Sequence, residues 1–158
     1  MKTLIVYETE YGNTEKLARA IAEALSEHGE ARATPVAGIS NLDQHDADLL
    51  IVGSPTQRHG LPAGTRDMLD GVPEGRLKNM AALAFDTRYP GSHWITGSAA
   101  RKIHKMLRDL GCRLLAPPES FFVAGEQGPL EPGEVDRARA WALRSLGRKG
   151  RLSARTPG

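Results

Sequence analysis

Residues 3 to 14, Thr-Leu-Ile-Val-Tyr-Glu-Thr-Glu-Tyr-Gly-Asn-Thr, constrain the fold of this chain more than any other stretch. Leu4, Ile5, Val6 and Tyr7 form an unbroken apolar run ending at Glu8, the pattern of a strand buried on both faces. Beyond a short polar turn, Leu17, Ala18, Ile21, Ala22 and Leu25 recur at helical spacing. A strand that must be covered on both sides, followed at once by an amphipathic helix, opens a parallel α/β sheet.

The turn between them, Thr9-Glu10-Tyr11-Gly12-Asn13-Thr14, ends where the helix begins. A helix start leaves backbone N–H groups without internal partners and carries the positive end of the macrodipole. Thr9, Asn13 and Thr14 offer further donors, and Gly12 lets the backbone come close to a ligand. These are the parts of a phosphate cradle. The loop holds no lysine or arginine, so neutral dipoles alone would grip the anion. The same residues also fit a plainer reading, in which Asn13 or Thr14 caps the helix with Glu15 and Lys16 in its first turn.

At 158 residues the chain is expected to form one domain with a sizeable core. No apolar run approaches the roughly 18 residues that a membrane span requires. Met-Lys-Thr leads straight into the buried-strand pattern, so no signal peptide is expected. A single cysteine, Cys112, excludes an internal disulfide and reads as a buried structural thiol in a reducing, cytoplasmic setting. The net charge of +2 is unevenly spread. Five of the 21 Lys and Arg residues fall in the last fifteen positions, which carry no acid, leaving residues 1–143 at −3. The expected organisation is a folded body over 1–147 and a basic, flexible tail over 148–158. No aromatic residues interleave with the tail's charges, which speaks for a solvated terminus and against nucleic-acid binding.

Gly29 ends the first helical pattern. Residues 31–36 make a weak strand that Pro35 places at a sheet edge, and a connection with Ile39, Leu42 and Asp43 follows. Buried strands are predicted over 47–53 and 80–85, and helices over 62–72, 98–110 and 134–146. A last strand, 112–123, is interrupted by Pro117-Pro118. Strands alternating with helices imply a doubly wound five-stranded parallel sheet in a three-layer α/β/α sandwich. Such sheets bind ligands at the carboxyl ends of their strands, where the winding reverses. The loops to read are therefore Thr9–Thr14, Ser54–Leu61 and Asp86–Thr96. The second offers Ser54, Pro55 and Thr56, then His59 beside Gly60. The third begins Asp86-Thr87-Arg88 and brings Tyr89 and Trp94 into a loop where burial does not obviously demand aromatics. A phosphate in the first loop and a flat ring between the other two would use all three. Trp94 could equally staple the following helix.

These features resemble the flavodoxin family in its short form, over about residues 2–147. The most specific match is the phosphate signature, a hydroxyl residue, two variable positions, then Gly-Asn-Thr, here Thr9 to Thr14. The resemblance implies a strand order 2-1-3-4-5 and flavin mononucleotide (FMN) at the switch point. It implies that Thr9, Glu10, Tyr11, Gly12, Asn13 and Thr14 surround the phosphate, with Ser54 or Thr56 adding a hydroxyl. It places His59-Gly60 where the family has an aromatic-Gly pair over one flavin face, and Tyr89 or Trp94 on the other. Imidazole stacks over less area than an indole or phenol, and Tyr11 stands where a small hydroxyl is usual. Glu8, Glu10 and Asp86 near the ring would disfavour an anionic reduced state and lower the potential. Family members carry single electrons between larger redox proteins on acidic docking surfaces, so a reductase donor and a further acceptor are the expected partners. Arg58, Arg88 and His93 depart from that acidic pattern.

The competing readings are an FMN-dependent oxidoreductase acting on a quinone or tetrapyrrole-type acceptor, and a regulatory module of the same fold without flavin. A phosphoacceptor domain needs an aspartate at the end of the central strand, where this chain has Gly53-Ser54. Gly-Lys-Ser/Thr and Gly-x-Gly-x-x-Gly signatures are absent, and no His, Cys or carboxylate cluster has metal-ligand spacing.

Overall fold

The computed structural model describes residues 1–39, 42, 46–58, 60–90 and 97–154, those from 149 onward by backbone alone. Strand β1 (Lys2–Tyr7) lies between β2 (Glu30–Pro35) and β3 (Leu49–Pro55), and β3 pairs in turn with β4 (Ala81–Arg88). Two short strands share the far side of β4: β5 (Arg113–Leu114) against Ala81–Ala82, and β6 (Glu119–Phe122) against Phe85–Arg88. All pairings are parallel and the order is β2-β1-β3-β4-β5, the doubly wound arrangement expected. The fifth position is split because Pro117 and Pro118 have no N–H to give the ladder. Pro35 ends the edge strand β2, which among the described residues pairs only with β1.

Among the described residues four helices cover the sheet: α1 (Asn13–Leu25), α2 (Ala63–Asp70), α3 (Ala99–Asp109) and α4 (Glu134–Ala154). Period-two alternation in β1 assigns the faces. Ile5 and Tyr7 join Leu17 and Ile21 of α1 and Trp141 of α4, whereas Leu4 and Val6 join Leu69 of α2 and Ile103 and Leu107 of α3. Ile5 and Val6 are both wholly buried, and each such side chain stabilises the fold by about 1.5–3 kcal/mol. Phe85, Phe121 and Trp141 meet edge to face, with centroids 5.8–6.1 Å apart, and so fasten α4 to the β4–β6 edge.

Three boundaries differ from expectation. Strand β3 continues through Ser54 and Pro55, and β4 through Asp86, Thr87 and Arg88, because the register Ser54↔Asp86 and Pro55↔Thr87 keeps the ladder paired. Residues read as loop thus end the strands. Helix α4 runs past Leu146 to Ala154, so the expected body–tail boundary at 147/148 falls inside a helix.

Candidate functional site

The carboxyl ends of β1, β3 and β4 open into a cleft of about 780 Å³ at the switch point of the sheet. Its first wall is the loop leading into α1. Glu8 N–H donates to the Gly53 carbonyl (3.0 Å), which ties the loop's start to β3. Gly12 N–H donates to Thr9 Oγ1 (3.0 Å), and Gly12 turns the chain at φ +90°, where a side chain would be strained. Gly12 is then the cap of α1, with no side-chain hydrogen bond there. Neither Asn13 nor Thr14 serves as a cap. Asn13 Nδ2 reaches the Gln127 carbonyl (3.2 Å), and the buried Thr14 hydroxyl pairs with that of Thr87 (3.0 Å). The N–H groups of the first turn, at Asn13, Thr14 and Glu15, have no hydrogen-bond partner among the described residues.

The second wall follows β3. Gln57 and Gly60 exchange backbone hydrogen bonds (2.9 and 2.6 Å) around Arg58, held at φ +45°. Gln57 Nε2 also donates to Glu10 Oε2 (2.7 Å), which clamps the first two loops together. The third wall is the end of β4, with Arg88 and then Tyr89. Tyr11 and Tyr89, 43% and 44% exposed, stand at the rim as large aromatic surfaces that the core does not use.

Most expected site residues gather here. Thr9, Glu10, Tyr11, Asn13 and Thr14 line the cleft from the first loop, Pro55, Thr56 and Gly60 from the second, and Thr87, Arg88 and Tyr89 from the third. His59, His93 and Trp94 lie outside the described residues. Ser54 and Asp86 are fully buried behind the cleft instead of lining it. Ser54 Oγ donates to the Pro55 carbonyl (2.9 Å). Asp86 Oδ2 accepts from Thr56 Oγ1 (3.0 Å), Ser98 Oγ (2.8 Å) and Ala100 N–H (3.0 Å), so it anchors the start of α3. Burial pushes its carboxyl above the usual range, opposed by hydrogen bonds from Ala100 N–H, Ser120, Ser98 and Thr56. Thr56 Oγ1 accepts from Ala99 N–H (2.9 Å) as well, so this hydroxyl is committed to the scaffold.

Glu8 is likewise occupied elsewhere. Its Oε1 accepts from Thr65 N–H and Thr65 Oγ1, both at 2.7 Å, at the start of α2. Gly64 makes the approach possible, since a Cβ there would stand 2.9 Å from the carboxylate. Of the three carboxylates expected beside a ring, only Glu10 lines the cleft, together with Glu126. Against these stand Arg58, Arg66, Arg88 and Lys102. Among the described residues the electrostatic balance is therefore cationic, as the departures at Arg58 and Arg88 suggested and against the expected influence of Glu8 and Asp86. Arg66 and Lys102 had no local signature because they arrive from α2 and α3.

A doubly wound parallel sheet, with free helix N–H groups and rim aromatics at its switch point, defines the mononucleotide-binding class of α/β proteins. Residues 5–143 match the family model described as Flavodoxin, and the chain belongs to the flavodoxin family, a family of FMN-binding electron-transfer flavoproteins. It is 32% identical over 118 residues to a Synechocystis sp. protein named putative diflavin flavoprotein A 4. That match takes in 72% of this chain but only 19% of the Synechocystis protein. A flavodoxin from the domain Archaea superposes with a TM-score of 0.78 at 19% identity, covering 94% of this chain and 99% of that one. Flavodoxin 1 from Bacillus cereus gives 0.76 at 19% identity, covering 93% and 98%. Rubredoxin oxygen:oxidoreductase from Desulfovibrio gigas gives 0.74 at 20% identity, covering 96% of this chain and 37% of that one. No helix among the described residues is long and apolar enough to cross a membrane.

The residues present fit the family's cofactor. The first-turn N–H groups of α1 have no partner among the described residues, and a Cβ on Gly12 would meet nothing within 4 Å, so the backbone there is open to a ligand.

Proposed function

We propose that this chain carries electrons between redox proteins, with the FMN phosphate in the Thr9–Thr14 loop and the ring in the cleft walled by Pro55–Gly60 and Thr87–Tyr89. One observation supports this above the rest: the N–H groups at Asn13, Thr14 and Glu15 lack hydrogen-bond partners among the described residues, and Asn13 and Thr14 line the cleft. Bound FMN supplies one-electron chemistry that no side chain of the protein has. The chain's part is to bind, orient and set the potential. Thr9 fixes the turn through Gly12 N–H, and the Thr14–Thr87 hydroxyl pair locks the cradle to β4. The Glu10–Gln57 bridge holds the first two walls at a fixed separation. Tyr89 offers a ring face to cover the cofactor, and His59-Gly60 and Trp94 are proposed for the remaining contacts.

Purified protein should be yellow, or become so on adding FMN, with quenching of flavin fluorescence. Asn13→Ala with Thr14→Ala should lower retention at unchanged far-ultraviolet dichroism, because both side chains hold the turn that presents these N–H groups, and full retention in that double variant would show that neither side chain supports the cradle. Tyr89→Ala should weaken FMN binding by about 1–3 kcal/mol, the worth of a stacked ring. A second reading, an oxidoreductase acting on a small anionic acceptor, draws on Arg58 and Arg66 in the cleft. Steady-state oxidation of a nicotinamide cofactor by the protein alone favours that enzyme, whereas reduction only through an added reductase favours the carrier.

A further inference from the structure

The outer face of α3 is a strongly cationic surface outside the cleft. Ala99, Ala100, Ile103 and Leu107 bury one side of this helix against the sheet, which leaves Arg101, Lys102, Lys105 and Arg108 on the other. No acid occurs in α3 before its last residue, Asp109. Asp109 lies 3.5 Å from Lys105 with the two side chains 60% and 70% exposed, a pairing too solvated to neutralise the face. A groove of about 780 Å³ runs beside the helix, closed on its far side by Pro117, Pro118 and Ser120. Arg88 and Lys102 line both this groove and the flavin cleft, so the cationic surface is continuous with the cleft. Residues 1–143 together carry −3, so this is a local concentration of positive charge and not a property of the whole protein.

We infer that this face of α3 is the docking surface for a small acidic electron-transfer protein, which it seats beside the flavin cleft. The inference rests on the flavin reading. The cations are spread over about 10 Å of helix from Arg101 to Arg108, a spacing that suits a protein surface better than one phosphate. Among the described residues no Phe, Tyr or Trp lines the groove beside His104, so single-stranded nucleic acid would find little stacking platform there. Complementary charge at this position steers encounter and fixes the orientation in which a partner's redox centre meets the cleft.

The test titrates the 15N-labelled protein with ferric cytochrome b5, an acidic haem protein, and with ferric cytochrome c, a basic one, at low and high salt. Binding of cytochrome b5 should shift α3 resonances and weaken as salt rises. Lys105→Glu with Arg108→Glu, both outside the cleft lining, should raise its Kd about tenfold or more with FMN affinity unchanged. Stopped-flow transfer from the reduced holoprotein to cytochrome b5 should slow by a like factor. Cytochrome b5 binding that ignores salt or the double variant, or cytochrome c taking the same face, overturns the inference. So does salt-sensitive binding of a DNA duplex to α3 with cytochrome b5 left unbound. The titration needs no cofactor, so a failure of FMN to associate is seen separately and counts against the flavin reading itself.

Discussion

Gly53 sits where the ring of Phe85 crosses β3: a Cβ there would lie 2.1 Å from the ring. Gly53→Ala should therefore destabilise the fold by about 1–3 kcal/mol through overpacking, read from the urea midpoint. Gly12 makes the opposite case. Its surroundings are open, so Gly12→Ala meets only the left-handed backbone penalty of about 1–2 kcal/mol. The turn it distorts belongs to the cradle, so FMN affinity should fall further than stability does. Cys112 is buried, which pushes its thiol up to about 11. It should resist a disulfide reagent at pH 8 in native protein and react only on unfolding. A fast native reaction would place it outside the core.

At the scale of elements, α4 is fastened to β6 by one charged pair as well as by Trp141. Glu134 accepts from Arg137 Nε and Nη2 and from Phe122 N–H, all at 2.8 Å, and Arg137 reaches on to Glu119 (2.7 Å). The guanidinium also lies over the Phe121 ring, 4.5 Å from its centroid. Hydrogen bonding from Arg137 holds the Glu134 carboxyl below its usual range, with the Phe122 N–H adding to it against the opposing effect of burial. A carboxyl depressed in the folded state stabilises the protein above its unfolded pKa, and this contribution is lost as pH falls through the folded one. Glu134→Gln should thus cost about 1–3 kcal/mol at pH 7, with the gap to the parent protein closing under acid, by urea denaturation at both pH values. A gap that widens on acidification would reverse the assignment.

Over the whole molecule, the cations around the cleft decide how easily a bound ring accepts charge. Arg66 and Lys102 face the site while Glu8 and Asp86 are spent on the starts of α2 and α3. Arg66→Gln should lower the flavin's one-electron potential by about 20–40 mV, or about 0.5–1 kcal/mol, by spectroelectrochemistry; an unchanged potential would show that the guanidinium turns away from the ring. Much of this architecture was legible beforehand. The apolar run Leu4–Tyr7, the helical spacing from Leu17 to Leu25 and the Thr9–Thr14 loop declared a covered parallel sheet with a turn into a helix after its first strand, because periodicity and local backbone chemistry are written in neighbouring residues. The commitments of the polar side chains were not. Glu8 and Asp86 looked like cleft residues but satisfy helix starts, and Thr56 lines the cleft while its hydroxyl does the same, over separations from 14 to 57 residues. Sequence by itself determined the layers and the turn that joins the first strand to its helix. Only the tertiary structure decided which charges face the cleft, since a buried carboxylate must take whatever donors the packing delivers.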